Sequence, residues 1–184
     1  MSLQSVVVCR SVKDFSDSVL DLLEKTYTES FPEVERRDFS LVRDLVKDEP
    51  RFIVYALSKD EQYVGFITGW LFEGYTYAEH FAIDPEARNG GIGAEAMRQF
   101  LSFCNTPVVL EVEMPSDELS KRRIGFYERL GFKLDNHVYH QPPYRSGGDW
   151  LEMRLMTHGN VDLDRSFEQV KNCLYKYVYG VKDL

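Results

Sequence analysis

A strand-like run, a glycine-rich loop and a helix follow one another within residues 77–104, and this order constrains the fold more than any other stretch. The apolar run ends at Ile83, shortly before Pro85. The sequence RNGGIG at 88–93 then leads into a helical pattern of apolar residues. Glycines keep side chains away, so that backbone N–H groups at a helix start can approach an anion closely. The stretch therefore predicts a strand–loop–helix unit that binds a phosphate or diphosphate.

Several kinds of glycine loop fit this layout to different degrees. A kinase-type P-loop is excluded, because Ala94 stands where Lys-Ser/Thr would be required. A dinucleotide-binding loop fits GxGxxA at 91–96, with Glu113 roughly 20 residues downstream as a ribose-binding acid. However, a loop containing Pro85 and Arg88 separates the strand from the glycines, which that motif does not favour. A glycine-rich turn that only starts a helix is the remaining alternative.

Two short motifs carry a family resemblance. The pattern R-x-x-G-x-G-A at 88–94 resembles the acyl-CoA pyrophosphate loop of the GNAT N-acetyltransferases. The sequence RIGFYERLGF at 123–132 resembles the GNAT segment FYxxxGF, in which a helix runs into the next strand. Gly131 suits the left-handed cap that ends such a helix. Because both motifs occur in the family's order and on the expected elements, the resemblance favours a GNAT enzyme over the other readings.

The resemblance implies that acetyl-CoA is the co-substrate and that the loop, the strand before it and the helix at 119–130 bind it. A backbone N–H near Ile83 would polarise the thioester carbonyl. Ser120 and Arg123 stand where the family often has Asn and Ala, so a contact from Ser120 to the pantetheine arm would replace the usual one. The implied cofactor-binding residues are Ile83, Arg88, Asn89, Gly90, Gly91, Ile92, Gly93, Ala94, Ser120 and Arg123.

The resemblance also implies two catalytic residues. A primary amine with a pKa of ~10.4 is protonated at neutral pH, so that a base assists its attack. The family base is often a Glu on the strand before the loop, which here is Glu79. His80 is an alternative base, and strict strand alternation predicts that it faces away from Glu79. Tyr127 is expected to hydrogen-bond the departing thiolate. The simpler alternatives are an exposed Glu79 and a Tyr127 that only packs in the core.

The overall composition is that of a globular protein with an acidic balance. The 184 residues are 43% apolar and 28% charged, and the net charge is −8. This charge argues against nucleic acid as a partner and favours a cationic substrate. Glu111 and Glu113 are expected on one strand face, as a possible acidic mouth for an amine. The three cysteines show no metal-binding spacing. With neither a signal-peptide layout nor a membrane-length apolar run, we expect a cytoplasmic protein that binds no membrane and no metal.

The order of patterns along the chain predicts β-α-α-β-β-β-α-β-α-β-β followed by a C-terminal helix. This is an α/β (α+β) arrangement that matches the GNAT fold: a mixed, mostly antiparallel sheet with helices on both faces. We expect one domain over residues 1–158, with residues 159–184 as an amphipathic helix packed on it or used in a homodimer. The segment 139–149 is rich in Pro and Gly and is expected to be irregular.

The function predicted from these features is transfer of an acetyl group from acetyl-CoA to a primary amine. The acceptor would be a small molecule or a peptide, attacked directly in a ternary complex. The three cysteines lack a patterned His partner, which argues against a covalent enzyme intermediate. A non-catalytic acyl-CoA-binding module of the same fold is the alternative, and a nicotinamide-dependent dehydrogenase is a second one.

Overall fold

The structure, a computed structural model, describes residues 8–11, 17–88 and 90–182. Within these ranges, eight strands form one sheet. The strands are β1 (Val8–Ser11), β2 (Phe52–Lys59), β3 (Gln62–Phe72), β4 (Tyr75–Ile83), β5 (Val108–Glu113), β6 (Lys133–Leu134), β7 (Tyr139–Gln141) and β8 (Leu151–His158). The helices are α1 (Asp17–Ser30), α2 (Phe39–Asp48), α3 (Ile92–Phe103), α4 (Glu118–Arg129) and α5 (Leu163–Cys173). A π-helical turn, Leu174–Val178, continues α5.

The sheet has the order β1-β2-β3-β4-β5-β8-β6, and β7 also pairs with β8. Among the described strands, β4 and β5 form the parallel pair, and all other pairs are antiparallel. The predicted mixed, mostly antiparallel sheet is therefore confirmed. None of the helices in the described ranges is both long and apolar enough to cross a membrane.

Helices cover both faces of the sheet and bury two apolar cores. On one face, Tyr27 of α1, Phe39 of α2 and Phe167 of α5 belong to a single buried cluster. On the other face, Phe100 of α3 and Ile124 of α4 belong to a second cluster. We refer to these as the α1/α2/α5 face and the α3/α4 face. The C-terminal helix thus packs on the same sheet as the rest of the chain.

Some local expectations were wrong in detail. The sequence pattern of residues 33–48 predicts one helix, but α2 begins at Phe39, because Glu33–Glu35 form a separate 3-10 turn after Pro32. The pattern of residues 132–138 predicts a strand, but β6 is only two residues long, whereas Tyr139–Gln141 form β7 within the segment expected to be irregular. The pairing of β7 with β8 and the burial of Tyr139 override the local composition. Asp14, which the sequence pattern predicts as the N-cap of the first helix, lies outside the described residues.

The parallel pairing between β4 and β5 ends early. It joins Thr76 to Val108, Tyr77 to Val109 and Ala78 to Leu110, and goes no further, although both strands continue. From Glu79 onwards, no strand of the described residues pairs with the edge of β4 that faces β5, whereas β3 still pairs with the opposite edge. Unpaired backbone groups at such an opening remain available to a ligand.

A β-bulge lies at the point where the strands part. Gly69 of β3 pairs with Ala78, and Thr68 pairs with His80, so that Glu79 is an extra residue on β4. The bulge interrupts side-chain alternation. The His80 ring stacks edge-on against Tyr27 of the α1/α2/α5 face, and its Nδ1 is 4.0 Å from the Glu79 carboxylate. The expectation that His80 faces away from Glu79 was therefore wrong.

Replacement of Gly69 by Ala tests the close approach of β3 and β4 at this bulge. A Cβ at Gly69 would lie 2.5 Å from the Tyr77 carbonyl oxygen, which is a backbone atom that cannot move aside easily. We expect Gly69→Ala to lower the free energy of unfolding by about 1–3 kcal/mol, as overpacking does.

Gly125→Ala is the matched control, measured in the same denaturant titration. Gly125 is inside α4, and a Cβ there would meet only the end of the Arg129 side chain, at 3.4 Å. The same substitution should therefore raise the free energy of unfolding by about 0.5–1 kcal/mol. Equal effects at the two glycines would contradict this description of the bulge.

Candidate active site

The opening between β4 and β5 leads into a cleft of about 500 Å³, a volume typical of small-molecule sites. Its walls come from the parted halves of the two strands, from α4 and from the loop before α3. The residues that line the cleft include Glu79, Ile83, Arg88, Glu111 and Tyr127. The cleft thus brings together most of the regions that the sequence singled out.

The glycine loop places bare backbone at the start of α3. Gly90 and Gly91 have φ angles of 73° and 78°, in the left-handed region that favours glycine. Gly91 is the N-cap of the helix, and a Cβ at either position would meet no protein atom within 4 Å. Ile92, Gly93 and Ala94 form the first turn, whose N–H groups have no partner within the helix. This end of α3 suits an anion.

The Arg88 side chain lies between the end of β4 and α1. Its Nε donates to the Ile83 carbonyl at 3.1 Å, and its Nη2 donates to Ser30 Oγ at 3.3 Å. A cation is thereby held beside the glycine loop, where it adds to the positive end of the helix dipole. Asn89 lies outside the described residues.

Tyr127 packs in α4, on the α3/α4 face, with Phe126 and Phe132 against its ring. Burial raises the pKa of Tyr127 to about 12. The phenol is therefore protonated at neutral pH. Its hydroxyl has no hydrogen-bond partner among the described residues, although the side chain lines the cleft. It is available as a donor to a group in the cleft.

The two residues predicted from α4 are placed differently. Ser120 is buried in a capping box: its Oγ accepts from the Asp117 N–H at 3.1 Å and donates to the Asp117 carbonyl at 3.0 Å. It does not line the cleft. Arg123 does line it, and its guanidinium pairs with the Glu113 carboxylate.

Both carboxylate oxygens of Glu79 accept hydrogen bonds from neighbouring side chains. Its Oε1 accepts from Arg37 Nη1 at 2.5 Å and from the Tyr144 hydroxyl at 2.9 Å, while Oε2 accepts from Trp70 Nε1 at 2.9 Å. The Glu79 side chain is 0% exposed. Burial alone would raise its pKa, but the Arg37 charge and these hydrogen bonds outweigh burial and hold the pKa below its ordinary value. Glu79 is therefore an ionised carboxylate at neutral pH.

His80 is neutral at physiological pH. Burial lowers the pKa of His80, and it outweighs the nearby Glu79 charge. Its Nε2 lies 3.1 Å from the Glu35 carbonyl oxygen. One ring nitrogen of His80 is therefore already in hydrogen-bond contact with the backbone.

Glu111 differs from Glu79 in its partners. Its oxygens accept from the hydroxyls of Tyr139 and Tyr179, Tyr179 at 2.8 Å. Burial raises the pKa of Glu111 to about 7, and these hydrogen bonds oppose the rise only in part. The cleft therefore contains two carboxylates whose surroundings shift their pKa values in opposite directions.

Some residues around the site were not predicted. Arg37 precedes α2 in a stretch expected to be helical, and no local pattern marks it. Tyr144 lies in the segment at 139–149, for which the sequence predicts only irregular structure. Tyr179 follows the C-terminal helix and contacts Glu111 only through tertiary packing.

The comparisons with known proteins agree with this geometry. A sequence profile of the acetyltransferase (GNAT) family matches residues 16–132. A search of curated proteins gave no match at the significance threshold. Among solved structures, a protein from Bacteroides thetaiotaomicron that is described as a GNAT-family acetyltransferase is 39% identical. The match covers 96% of this chain and 99% of that one, with a TM-score of 0.89.

Two more distant structures share the fold. A chimera of Vibrio cholerae spermidine N-acetyltransferase SpeG and hSSAT is 12% identical, with coverages of 84% and 95% and a TM-score of 0.63. Arabidopsis thaliana Naa50, in complex with the bisubstrate analogue CoA-Ac-MVNAL, is 18% identical, with coverages of 84% and 99% and a TM-score of 0.61.

The profile covers more than half of the chain, and the Bacteroides protein is similar over nearly its whole length. Both similarities include the glycine loop and the α4 motif. The chain belongs to the GNAT family of acetyltransferases, and is accordingly an enzyme of the acyltransferase class.

Proposed function

We propose that this enzyme transfers the acetyl group of acetyl-CoA to a primary amine of a small molecule or peptide, by direct attack in a ternary complex. The observation that carries the proposal is the cleft between β4 and β5. Its lining includes Arg88, which precedes the glycine loop at the start of α3, and a group of polar residues that includes Glu79, Glu111 and Tyr127. Acetyl-CoA is the co-substrate of the family, and the Naa50 structure holds a CoA-based analogue.

The cofactor side of the cleft fits acetyl-CoA. The diphosphate would lie against the N–H groups of residues 90–94, with Arg88 and Asn89 beside it. The thioester would reach the parted edge of β4, where the backbone near Ile83 can polarise its carbonyl. Arg123 would face the cofactor from α4. Ser120 supports that helix through its capping box, and a direct contact to the cofactor stays a prediction.

The chemical step needs a neutral amine and a stabilised thiolate. The ammonium loses one proton, and the nitrogen lone pair then forms a C–N bond to the thioester carbon. The C–S bond breaks with its electron pair on sulfur, and the second nitrogen proton ends on the thiol of CoA. Tyr127 would donate a hydrogen bond to that sulfur, because a phenol with a pKa of about 12 is a poor proton donor but remains a hydrogen-bond donor.

The acceptor side carries carboxylates, which suit a cationic amine. The similar structures named above include a spermidine N-acetyltransferase chimera and a complex with a peptide-based analogue, so that small and peptide acceptors are both reasonable classes to test. Glu79 as the base stays a prediction, and it has a competitor in Glu111.

The direct test is release of CoA thiol from acetyl-CoA with a panel of primary amines. The panel would include a polyamine, an amino sugar, an amino acid and a peptide with a free N-terminus. We expect amine-dependent thiol release and a product heavier by one acetyl group. CoA binding without turnover by any amine would favour a non-catalytic module. Stabilisation by NAD rather than CoA in a thermal-shift assay would favour a dehydrogenase.

Gly91→Ala is expected to weaken acetyl-CoA binding by roughly 10–100-fold, because a methyl group would obstruct charge-assisted hydrogen bonds to the diphosphate. A Cβ at Gly91 meets no protein atom, so that the folded protein bears only the strain of a positive φ. The dissociation constant for CoA, measured by calorimetry, reports the effect.

Gly74→Ala is its control. Gly74 has a φ of 86° and equally open surroundings, but lies in the turn between β3 and β4. This variant bears similar backbone strain and should bind CoA as the wild type does. Similar CoA affinities in the two variants would argue against the glycine loop as the diphosphate site.

Tyr127→Phe is expected to lower kcat by roughly 10–100-fold, which corresponds to one hydrogen bond to a developing charge. The KM for acetyl-CoA should change little, because the ring that packs against Phe126 and Phe132 is retained. Steady-state kinetics with a saturating amine separate the two constants. Tyr75→Phe, which removes a hydroxyl at the opposite end of β4, should leave both unchanged. An unaltered kcat in Tyr127→Phe would reduce Tyr127 to a packing residue.

A further inference from the structure

We propose that Glu111 accepts a proton from the acceptor's ammonium group. We further propose that Tyr179, in the C-terminal segment (residues 174–182), holds the Glu111 carboxylate in position. The inference rests on the proposed N-acetyltransferase function and adds a catalytic residue on β5. It also makes the C-terminal segment part of the active site.

The position of Glu111 on β5 suits this role. The last paired residues of the two strands are Ala78 and Leu110, so that Glu111 is the first β5 residue beyond the pairing. It lines the cleft at the point where the sheet opens. Its hydrogen-bond partner Tyr139 is buried in the core of the α1/α2/α5 face. Tyr127 is buried on the α3/α4 face. A proton acceptor and a thiolate partner therefore lie on opposite sides of the opening.

Glu79 is the alternative base, and its surroundings are less suitable. Three donors occupy its oxygens, one of which is the Arg37 guanidinium. Protonation of Glu79 would leave Arg37, whose side chain is 7% exposed, without its counter-charge. Among the described residues, Glu111 has hydroxyl donors but no cation within ion-pair distance. It can take up a proton without leaving an unpaired buried charge.

Titratable groups from several elements surround Glu111. Tyr77 of β4, Tyr139 of β7 and Tyr179 of the C-terminal segment are hydroxyl neighbours, and the negative charge of Glu79 raises the pKa of Glu111 further. Tyr144 is near these tyrosines, and all four phenols have pKa values raised by burial, so that they stay neutral. Burial and the Glu79 charge outweigh the hydrogen bonds. The carboxyl of Glu111 consequently titrates near neutrality, where a general base is most effective.

The proton balance of the step is simple. The ammonium N–H bond breaks, its electron pair stays on nitrogen, and the proton forms an O–H bond with Glu111. After the C–N bond has formed and the C–S bond has broken, the second nitrogen proton is on the CoA thiol. Glu111 then returns its proton to water, and the enzyme is restored without any other reactant.

The C-terminal segment makes three polar contacts with this site. The Tyr179 hydroxyl donates to Glu111 Oε2 at 2.8 Å and lies 3.3 Å from the Tyr77 hydroxyl. The neighbouring Val178 carbonyl accepts from Arg37 Nη2 at 2.9 Å. Tyr179 therefore acts as a positioning residue that stabilises the ionised form of Glu111.

The decisive experiment is the pH profile of kcat/KM for Glu111→Gln, Glu79→Gln and the wild type. In the wild type, kcat/KM should rise with pH and level off above about 7, because Glu111 must be ionised to accept a proton. Glu111→Gln should lose roughly 10²–10⁴-fold in kcat/KM and lose this rise, while it retains CoA affinity. Glu79→Gln should have a lower melting temperature but keep the rise. Glu152→Gln, an exposed change on β8, should match the wild type.

Tyr179→Phe provides a readout that a merely structural role would not produce. Loss of a donor to the ionised carboxylate should shift the rise in kcat/KM to higher pH by roughly one unit. Tyr177→Phe, at a half-exposed position in the same segment, should leave the profile unshifted.

The possible outcomes separate this inference from the proposed function. Wild-type CoA binding without amine turnover would overturn both. Turnover with a pH rise that survives in Glu111→Gln, or is lost only in Glu79→Gln, would overturn the role of Glu111 and leave the acetyltransferase function standing. A Tyr179→Phe profile identical to that of the wild type would remove Tyr179 from the site.

Discussion

The early end of the hydrogen bonding between β4 and β5 is the constraint on which the site depends. Three residue pairs join the strands, and both strands then continue apart. The cleft at this gap is lined by residues of both faces, among them Tyr127 of the α3/α4 face and Phe31 of the α1/α2/α5 face. Elsewhere in a sheet, paired backbone would fill this space. The bulge at Glu79 lies at the same level and turns Glu79 and His80 to one side.

A network of buried polar groups stabilises the side of the opening away from the glycine loop. The pair between Arg37 and Glu79 stands at its centre, because each charge is buried and needs the other. Tyr144 donates to Glu79, and the Val178 carbonyl accepts from Arg37. The segment after β7 and the C-terminal segment are thereby tied to β4. In this chain, the C-terminal helix adds both apolar packing and polar contacts to the site.

The two carboxylates at the opening illustrate how surroundings assign chemistry. Glu79 and Glu111 are each the first residue beyond the last β4–β5 pair. A guanidinium beside Glu79 keeps it ionised, whereas the donors to Glu111 in the described part of the chain are all hydroxyls. Burial raises the pKa of both carboxyls, but the net shift is downward for Glu79 and upward for Glu111. Such divergence is the usual physical basis for separating a structural charge from a proton acceptor.

Local motifs allowed the family and the fold to be predicted. The glycine loop and the α4 motif are short, and the backbone conformations that they need, such as the positive φ at Gly91, depend on the residues themselves. The acceptor side was less predictable. Arg37 and Tyr144 are 42 and 65 positions from Glu79, and Tyr179 is 68 from Glu111, so that no window of sequence contains these contacts. The predicted orientation of the His80 side chain was wrong, because strict strand alternation does not reveal a β-bulge.

By itself, the sequence determined the family, the order of most elements and the glycine-capped start of α3, because glycine placement and apolar periodicity act over a few residues. Only the tertiary structure decided which carboxylate keeps its charge, where the sheet opens and that Tyr179 contacts Glu111. These properties depend on burial and on partners brought together from distant parts of the chain, and the free energy of a buried charge depends on such neighbours more than on its own position in sequence.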